Sequence, residues 1–207
     1  MTTFVLGRPS PPVAEVSEQV LRGMPRRITE YGEEILHRPC RAVEEFGAAR
    51  WAGLIDDMFT TMWIAEGCGL AANQVDVDAR LFVYDLIDEY GDRHLGHVFN
   101  PRIQLLSGLA GEQDGSEGCL SVPGANEQLV RPARVNLHGS DLEGAPVALQ
   151  ASGYFARCLV HETQHLDGTL YVDHLDPSAR DHALAVSASR RSAVLARRTA
   201  RQHELGK

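Results

Sequence analysis

His161-Glu162-Thr163-Gln164-His165 forms an H-E-x-x-H pentapeptide. Residues four apart share one face of a helix, so both imidazoles can bind one metal ion while the glutamate beside them handles a proton on water at that ion. The chemistry would be metal-assisted hydrolysis. Such pentapeptides also arise by chance on solvated helices, so the surrounding chain must carry the reading. Upstream, residues 152–160 continue a helical pattern that Ser152 is placed to cap and Gly168 to stop. Tyr154, Cys158, His161 and His165 then fall near one face, apolar at first and ligating at its end. Two histidines on the buried side of an amphipathic helix need a partner.

The elements that must position this helix read as an α+β domain. The 207 residues, 43% hydrophobic and 6% aromatic, suit one globular domain with a full core. Residues 13–23 fit a first helix. Trp51, Leu54, Ile55, Met58, Phe59, Met62 and Trp63 give a strong three-four repeat ended by Gly67. Short β-rich runs follow at Arg80–Leu86, His97–Ile103, Ala133–Leu142 and Pro146–Ala151, separated by turns such as Asp141-Leu142-Glu143-Gly144. Without βαβ spacing, these runs predict mixed, mostly antiparallel short strands packed around the histidine helix. The sequence shows no internal repeat, and its one biased stretch is Pro9-Ser10-Pro11-Pro12.

Composition narrows the setting. No apolar run approaches the ~20 residues of a membrane span, and the first 20 residues lack the basic start and apolar middle of a signal peptide. A cytoplasmic protein is expected, with neither membrane nor DNA as partner. Cys40, Cys68, Cys119 and Cys158 show no paired zinc-ribbon spacing, and in a reducing compartment each reads first as a small buried hydrophobe. The net charge of −8 divides into −13 over residues 1–179 and +5 over residues 180–207. Arg190, Arg191, Arg197, Arg198 and Arg201, interleaved among alanines, predict a C-terminal helix with a cationic side, equally a solvated face or a nucleic-acid contact.

The third ligand decides which hydrolase this is. A metzincin continues H-E-x-x-H-x-x-G-x-x-H, and the chain follows that pattern to Gly168 but has Tyr171 at the last position. A thermolysin-like site takes a downstream glutamate, and only Glu204, deep in the basic segment, follows Glu162. His174, His182 and His203 match no known pattern. The third ligand is therefore expected upstream.

There, Gly67-Cys68-Gly69-Leu70-Ala71-Ala72-Asn73-Gln74 and Glu117-Gly118-Cys119-Leu120-Ser121 precede the histidines. In this order the three segments resemble peptide deformylase, whose motifs are G-x-G-L-A-A-x-Q, E-G-C-L-S and Q-H-E-x-x-H. The resemblance runs from about Arg26 to Leu175 and includes Asn100-Pro101, Arg131-Pro132 and Ala156-Arg157. One departure stands out: Val160 replaces the family's usual Gln before the first histidine, which removes an outer hydrogen bond and not a ligand.

The resemblance implies a catalytic domain over residues 26–178, an N-terminal extension over 1–25 and a basic helix or tail over 179–207. It implies Cys119, His161 and His165 as ligands of one divalent ion, Fe²⁺ by family habit with Ni²⁺, Co²⁺ or Zn²⁺ compatible. Three protein ligands leave a position open, the arrangement of a catalytic ion. Glu162 would be general base and then acid, and the Gln74 amide with the Leu120 backbone N–H would meet the developing oxyanion. Gly69 and Gly118 would admit the backbone of a peptide alongside the protein strand, and Cys68 would border the methionine pocket. The implied substrates are N-formylmethionyl nascent peptides, with a ribosome contact through the C-terminal helix as a further expectation.

Overall fold

The computed structural model describes residues 16–105 and 111–207, together with the backbone of residues 4–5 and 8–9. In chain order the elements are β1 (Phe4–Val5), β2 (Arg8–Pro9), α1 (Glu18–Arg22), α2 (Ala49–Ile64), β3 (Gly69–Ala71), β4 (Leu81–Ile87) and β5 (Arg93–Leu105). They continue as β6 (Glu112–Gln113), β7 (Ser116–Cys119), β8 (Val122–Gln128), β9 (Arg131–Pro132), β10 (Arg134–Ser140), β11 (Pro146–Ser152), α3 (Gly153–Leu166) and α4 (Pro177–Glu204). The α+β class is as the sequence implied, and every described strand pair is antiparallel.

A five-stranded sheet, ordered β11-β10-β5-β4-β3, is covered on both faces. Side chains alternate across a strand, so β4 serves two cores at once. Phe82, Tyr84 and Leu86 join Phe155, Ala156 and Leu159 of α3, whereas Leu81 and Val83 join Leu54, Ile55, Met58, Phe59 and Met62 of α2. The three-four repeat read in α2 is the stripe that faces the sheet. This places the histidine helix against one sheet face and fixes its rotation.

Helix ends aim the chain at the site. After α2, Glu66 takes a left-handed φ of 60° and the Gly67 N–H returns to the Met62 carbonyl at 2.9 Å, turning the chain directly into edge strand β3. At the other end of α3, Gly168 with φ of 84° ends the helix as expected. Ser152 stands at the N-cap position, but its side chain makes no capping bond. Gly153, with φ of 53°, provides the turn from β11 instead. Within residues 13–23, α1 occupies Glu18–Arg22, and Ser17 Oγ accepts from the Val20 N–H at 3.4 Å. Residues 13–15 and 10–12 lie outside the described residues.

Strand lengths depart modestly from expectation. β5 extends well beyond His97–Ile103 because its long pairing with β4 and β10 supplies backbone partners to a polar sequence. Strands β3, β7 and β8 carry no alternating apolar signal, and the Gly-rich motifs lie on them.

The basic C-terminal helix is present as α4. Its cations find partners on the body, although Arg190, Arg191 and Arg197 remain exposed. Arg180 meets Tyr31, Arg191 meets Glu30, Arg197 meets Glu66, and Arg201 meets Glu66 and lies over the Trp63 ring. Arg190, Arg198 and Lys207 donate to carbonyls of Gly124, Leu120 and Val20. Charge pattern alone could not reveal these partners, which lie 66 to 187 residues away for the last three. Among the described residues, no helix is long and apolar enough to cross a membrane.

Candidate active site

Cys119 at the end of β7 and His161 and His165 on α3 converge, with their ligand atoms all within 4.8 Å of one another. The two Nε2 atoms are 3.2 Å apart, and Cys119 Sγ lies 3.1 Å from His165 Nε2. Nitrogens bound at ~2.0–2.1 Å to a tetrahedral ion sit about 3.3 Å apart, so the imidazoles are spaced for one shared ion. Burial pulls the His165 imidazole well below its ordinary value, leaving it neutral, the form that ligates. Burial also pushes the Cys119 thiol up to about 12, so a thiolate here requires a cation beside it. The donor set therefore fits one divalent ion. His174, His182 and His203 do not join this group, the one metal-capable cluster among the described residues.

A buried ionic network orients the first histidine. Glu117 Oε1 lies 2.7 Å from His161 Nδ1 and accepts from Arg131 Nη2 at 2.5 Å. Its Oε2 accepts from Arg131 Nε and Arg157 Nη1, both at 2.9 Å. Burial opposes the charge on Glu117, but the hydrogen bonds from Arg131 and His161 hold its carboxyl far below the usual range. An ionised acceptor fixes the His161 tautomer, leaving Nε2 free to ligate. Val160, where the family usually has Gln, is buried in the apolar core between α3 and the sheet.

The catalytic candidates share one cleft of about 370 Å³ with two of the ligands, Cys119 and His161. Gln74 is locked from both ends: its Oε1 accepts from the Ala71 N–H at 2.9 Å, and its Nε2 donates to Ser121 Oγ at 3.2 Å and points to Cys119 Sγ at 3.4 Å. One amide hydrogen therefore faces the ligand cluster, and the other is held by Ser121. Glu162 lines the same cleft, with a buried Oε2 that has no protein partner. Burial raises its carboxyl well above the ordinary value, assisted by Cys68 and Glu117.

The glycines have an intramolecular reason as well as an expected external one. A Cβ on Gly69 would lie 2.7 Å from Glu162 Cδ, and one on Gly118 would lie 2.9 Å from the Ala125 carbonyl oxygen. Gly69 thus makes room for the carboxylate, and Gly118 for the paired strand β8. Leu120 and Cys68 also border the cleft, and the sulfurs of Cys68 and Cys158 are 4.0 Å apart.

Comparison with known proteins agrees with this geometry. The polypeptide deformylase family model matches residues 25–181. The chain belongs to the peptide deformylase family. Peptide deformylase 1 of Streptomyces avermitilis is 47% identical over 164 residues, covering 79% of this chain and 76% of that protein. The Chromobacterium violaceum peptide deformylase is 43% identical over 148 residues, covering 72% and 85%. Among solved structures, a Legionella pneumophila peptide deformylase superposes with a TM-score of 0.73 at 37% identity, covering 81% of this chain and 96% of that one. An Ehrlichia chaffeensis peptide deformylase in complex with actinonin gives 0.73 at 32% identity, covering 82% and 98%.

The deformylase is thus an enzyme with a Cys/His/His group able to hold a single ion. Sequence reasoning quoted Glu117, Arg131 and Arg157 but gave them no role. The signal was present: Glu117 stands two residues from Cys119 on one strand face, and Arg157 four residues before His161 on one helix face.

Proposed function

We propose that this deformylase hydrolyses the N-formyl group of peptides beginning with formyl-methionine, releasing formate and a free α-amine. The observation that carries the reading is that Glu162 and Gln74 line one cleft with Cys119 and His161, which cluster with the fully buried His165. We assign Cys119, His161 and His165 as the ligands of one divalent ion, Fe²⁺ by preference, with Ni²⁺, Co²⁺ or Zn²⁺ compatible. When bound, the ion supplies Lewis acidity and lowers the pKa of water from about 15.7 towards ~7.

The chain's own groups perform the remaining work. Glu162, with its free Oε2 and raised proton affinity, takes a proton from the attacking water and returns it to the leaving nitrogen. The Gln74 Nε2 hydrogen that points to Cys119 Sγ and the Leu120 N–H meet charge developing on the formyl oxygen, a contribution of about 10² to 10³ in rate per donor. Gly69 and Gly118 let the peptide backbone approach, and Cys68 borders the methionine side chain. Residues 26–178 form the catalytic unit, preceded by an extension over 1–25, and the enzyme acts in the cytoplasm on nascent chains.

The charge of residues 180–207 raises a ribosome contact, but each of the seven Lys/Arg there has a partner within the chain. These pairings leave the Arg180, Arg191 and Arg197 side chains 42%, 50% and 61% exposed, so α4 still presents a cationic face that fits a ribosome contact, and cosedimentation with ribosomes should weaken steeply as salt rises. The test of the main reading is formate release from a formyl-methionyl peptide beside amine release from its unformylated counterpart. Formate without amine supports deformylation, and amine release supports a metallopeptidase instead.

A further inference from the structure

The family match ends at residue 181, yet α4 continues to Glu204 and forms one wall of the cleft. Ala183, Ser187, Arg190, Val194, Arg198 and Arg201 recur at three-four spacing, the stripe that a helix lays on a body. It seats on bare backbone. A Cβ on Gly124, whose φ is 81°, would lie 2.9 Å from Arg190 Cβ and 3.3 Å from Val194 Cγ2.

From this stripe, Arg198 reaches the ligand turn. Its Nη2 donates to the Leu120 carbonyl at 2.9 Å, its Nε is buried without a partner, and no carboxylate among the described residues forms an ion pair with it. Neighbouring Arg197 and Arg201 both pair with Glu66. A partly buried guanidinium bound only to a neutral carbonyl is costly where an apolar side chain could fill the same wall. The carbonyl it holds belongs to the same peptide unit as the Ser121 N–H. That N–H donates to Cys119 Sγ at 3.4 Å. A cationic donor at one end of a planar amide polarises the donor at the other, because hydrogen bonds in series strengthen one another.

We propose that Arg198 is a positioning residue for the metal-binding sulfur: through the Leu120–Ser121 peptide it aims the Ser121 N–H at Cys119 Sγ and draws negative charge from it. The relay runs from the α4 guanidinium through one peptide plane to a ligand atom, and its source, Arg198, lies beyond the family match over residues 25–181. The proposal rests on the assignment of Cys119 as a ligand.

The test uses the full chain loaded with Co²⁺, whose thiolate-to-cobalt absorption band reports charge on the sulfur. Wild type, Arg198→Met and Arg198→Lys are compared for band energy, for cobalt affinity against a competing chelator, and for kcat and KM on a formyl-methionyl peptide. Arg198→Met should shift the band, weaken cobalt about tenfold and lower kcat more than it alters KM, and Arg198→Lys should restore most of each. An unchanged band and affinity in Arg198→Met overturns the relay. Equal impairment of both variants, in step with a lowered melting midpoint, also overturns it by reducing Arg198 to a packing role. A wild-type protein that binds cobalt without the thiolate band overturns the assignment of Cys119 instead, a failure distinct from the first two.

Discussion

Glu117→Gln isolates the buried network behind His161. The substitution keeps shape and removes charge, and the glutamine amide must present two hydrogens where Arg131, Arg157 and His161 all present donors. Two guanidinium groups, each 4% exposed, lose their shared counter-ion. Breaking a buried ion pair from one side costs about 3–5 kcal/mol, far above the ~0–1 kcal/mol of an exposed pair. For a chain of this length 1 kcal/mol moves the melting midpoint by roughly 2–4 °C, so a fall of roughly 6–20 °C is expected. Metal affinity should fall by about 10–100-fold, because His161 loses the acceptor that sets its tautomer. Urea unfolding of the metal-free protein reads the first effect, and chelator competition on the folded protein reads the second. A variant matching wild type in both would refute the claim that the Glu117 network orients His161 and stabilises the site. Loss of stability with unchanged affinity would confine Glu117 to folding.

Gly69→Ala should lower kcat by about 10² with metal retained, because the new methyl must displace the Glu162 carboxylate, and peptide kinetics beside metal analysis will show it. Gly124→Ala combines a left-handed φ with contact on Arg190, so a loss of about 1–3 kcal/mol is expected in urea unfolding. Acid sensitivity should rest partly on Asp78, which joins the Arg38 to Arg41 segment to the chain after Gln74. Burial opposes its charge, but the Arg41 N–H and the Arg38 guanidinium hold its carboxyl below the usual value. With the folded value depressed, its stabilisation is present above the unfolded pKa of about 3.9 and is lost as pH falls through the folded one. Asp78→Asn should therefore lower stability at pH 7 and flatten the pH dependence of unfolding below about pH 4.

The legible parts of this fold are those whose signal is local. The α2 stripe and the histidine helix announce themselves by spacing, and β4, β10 and β11 by β-rich runs between turn residues. β3, β7 and β8 do not, because Gly69, Gly118 and Gly124 are set by what lies against them, a carboxylate, a neighbouring strand and a helix, and not by apolar alternation. The same limit applies to α4. Arginines spaced along a helix read as a solvated cationic face until their acceptors are known, and those acceptors come from other elements. In the site, the motif residues that gather at the cleft are readable by type. The supporting Arg131 and Arg157 are not, since an arginine's role depends on which buried carboxylate it meets.

The central claim, that Glu162 moves the proton in hydrolysis of a formyl amide at the Cys119, His161 and His165 site, is tested most directly by one comparison. Metal content and formate release from a formyl-methionyl peptide are measured for wild type and Glu162→Gln. The account predicts that both bind one ion per chain and that the variant's kcat falls by about 10² or more, the usual contribution of a positioned acid–base group. A metal-loaded Glu162→Gln that releases formate at the wild-type rate would contradict it.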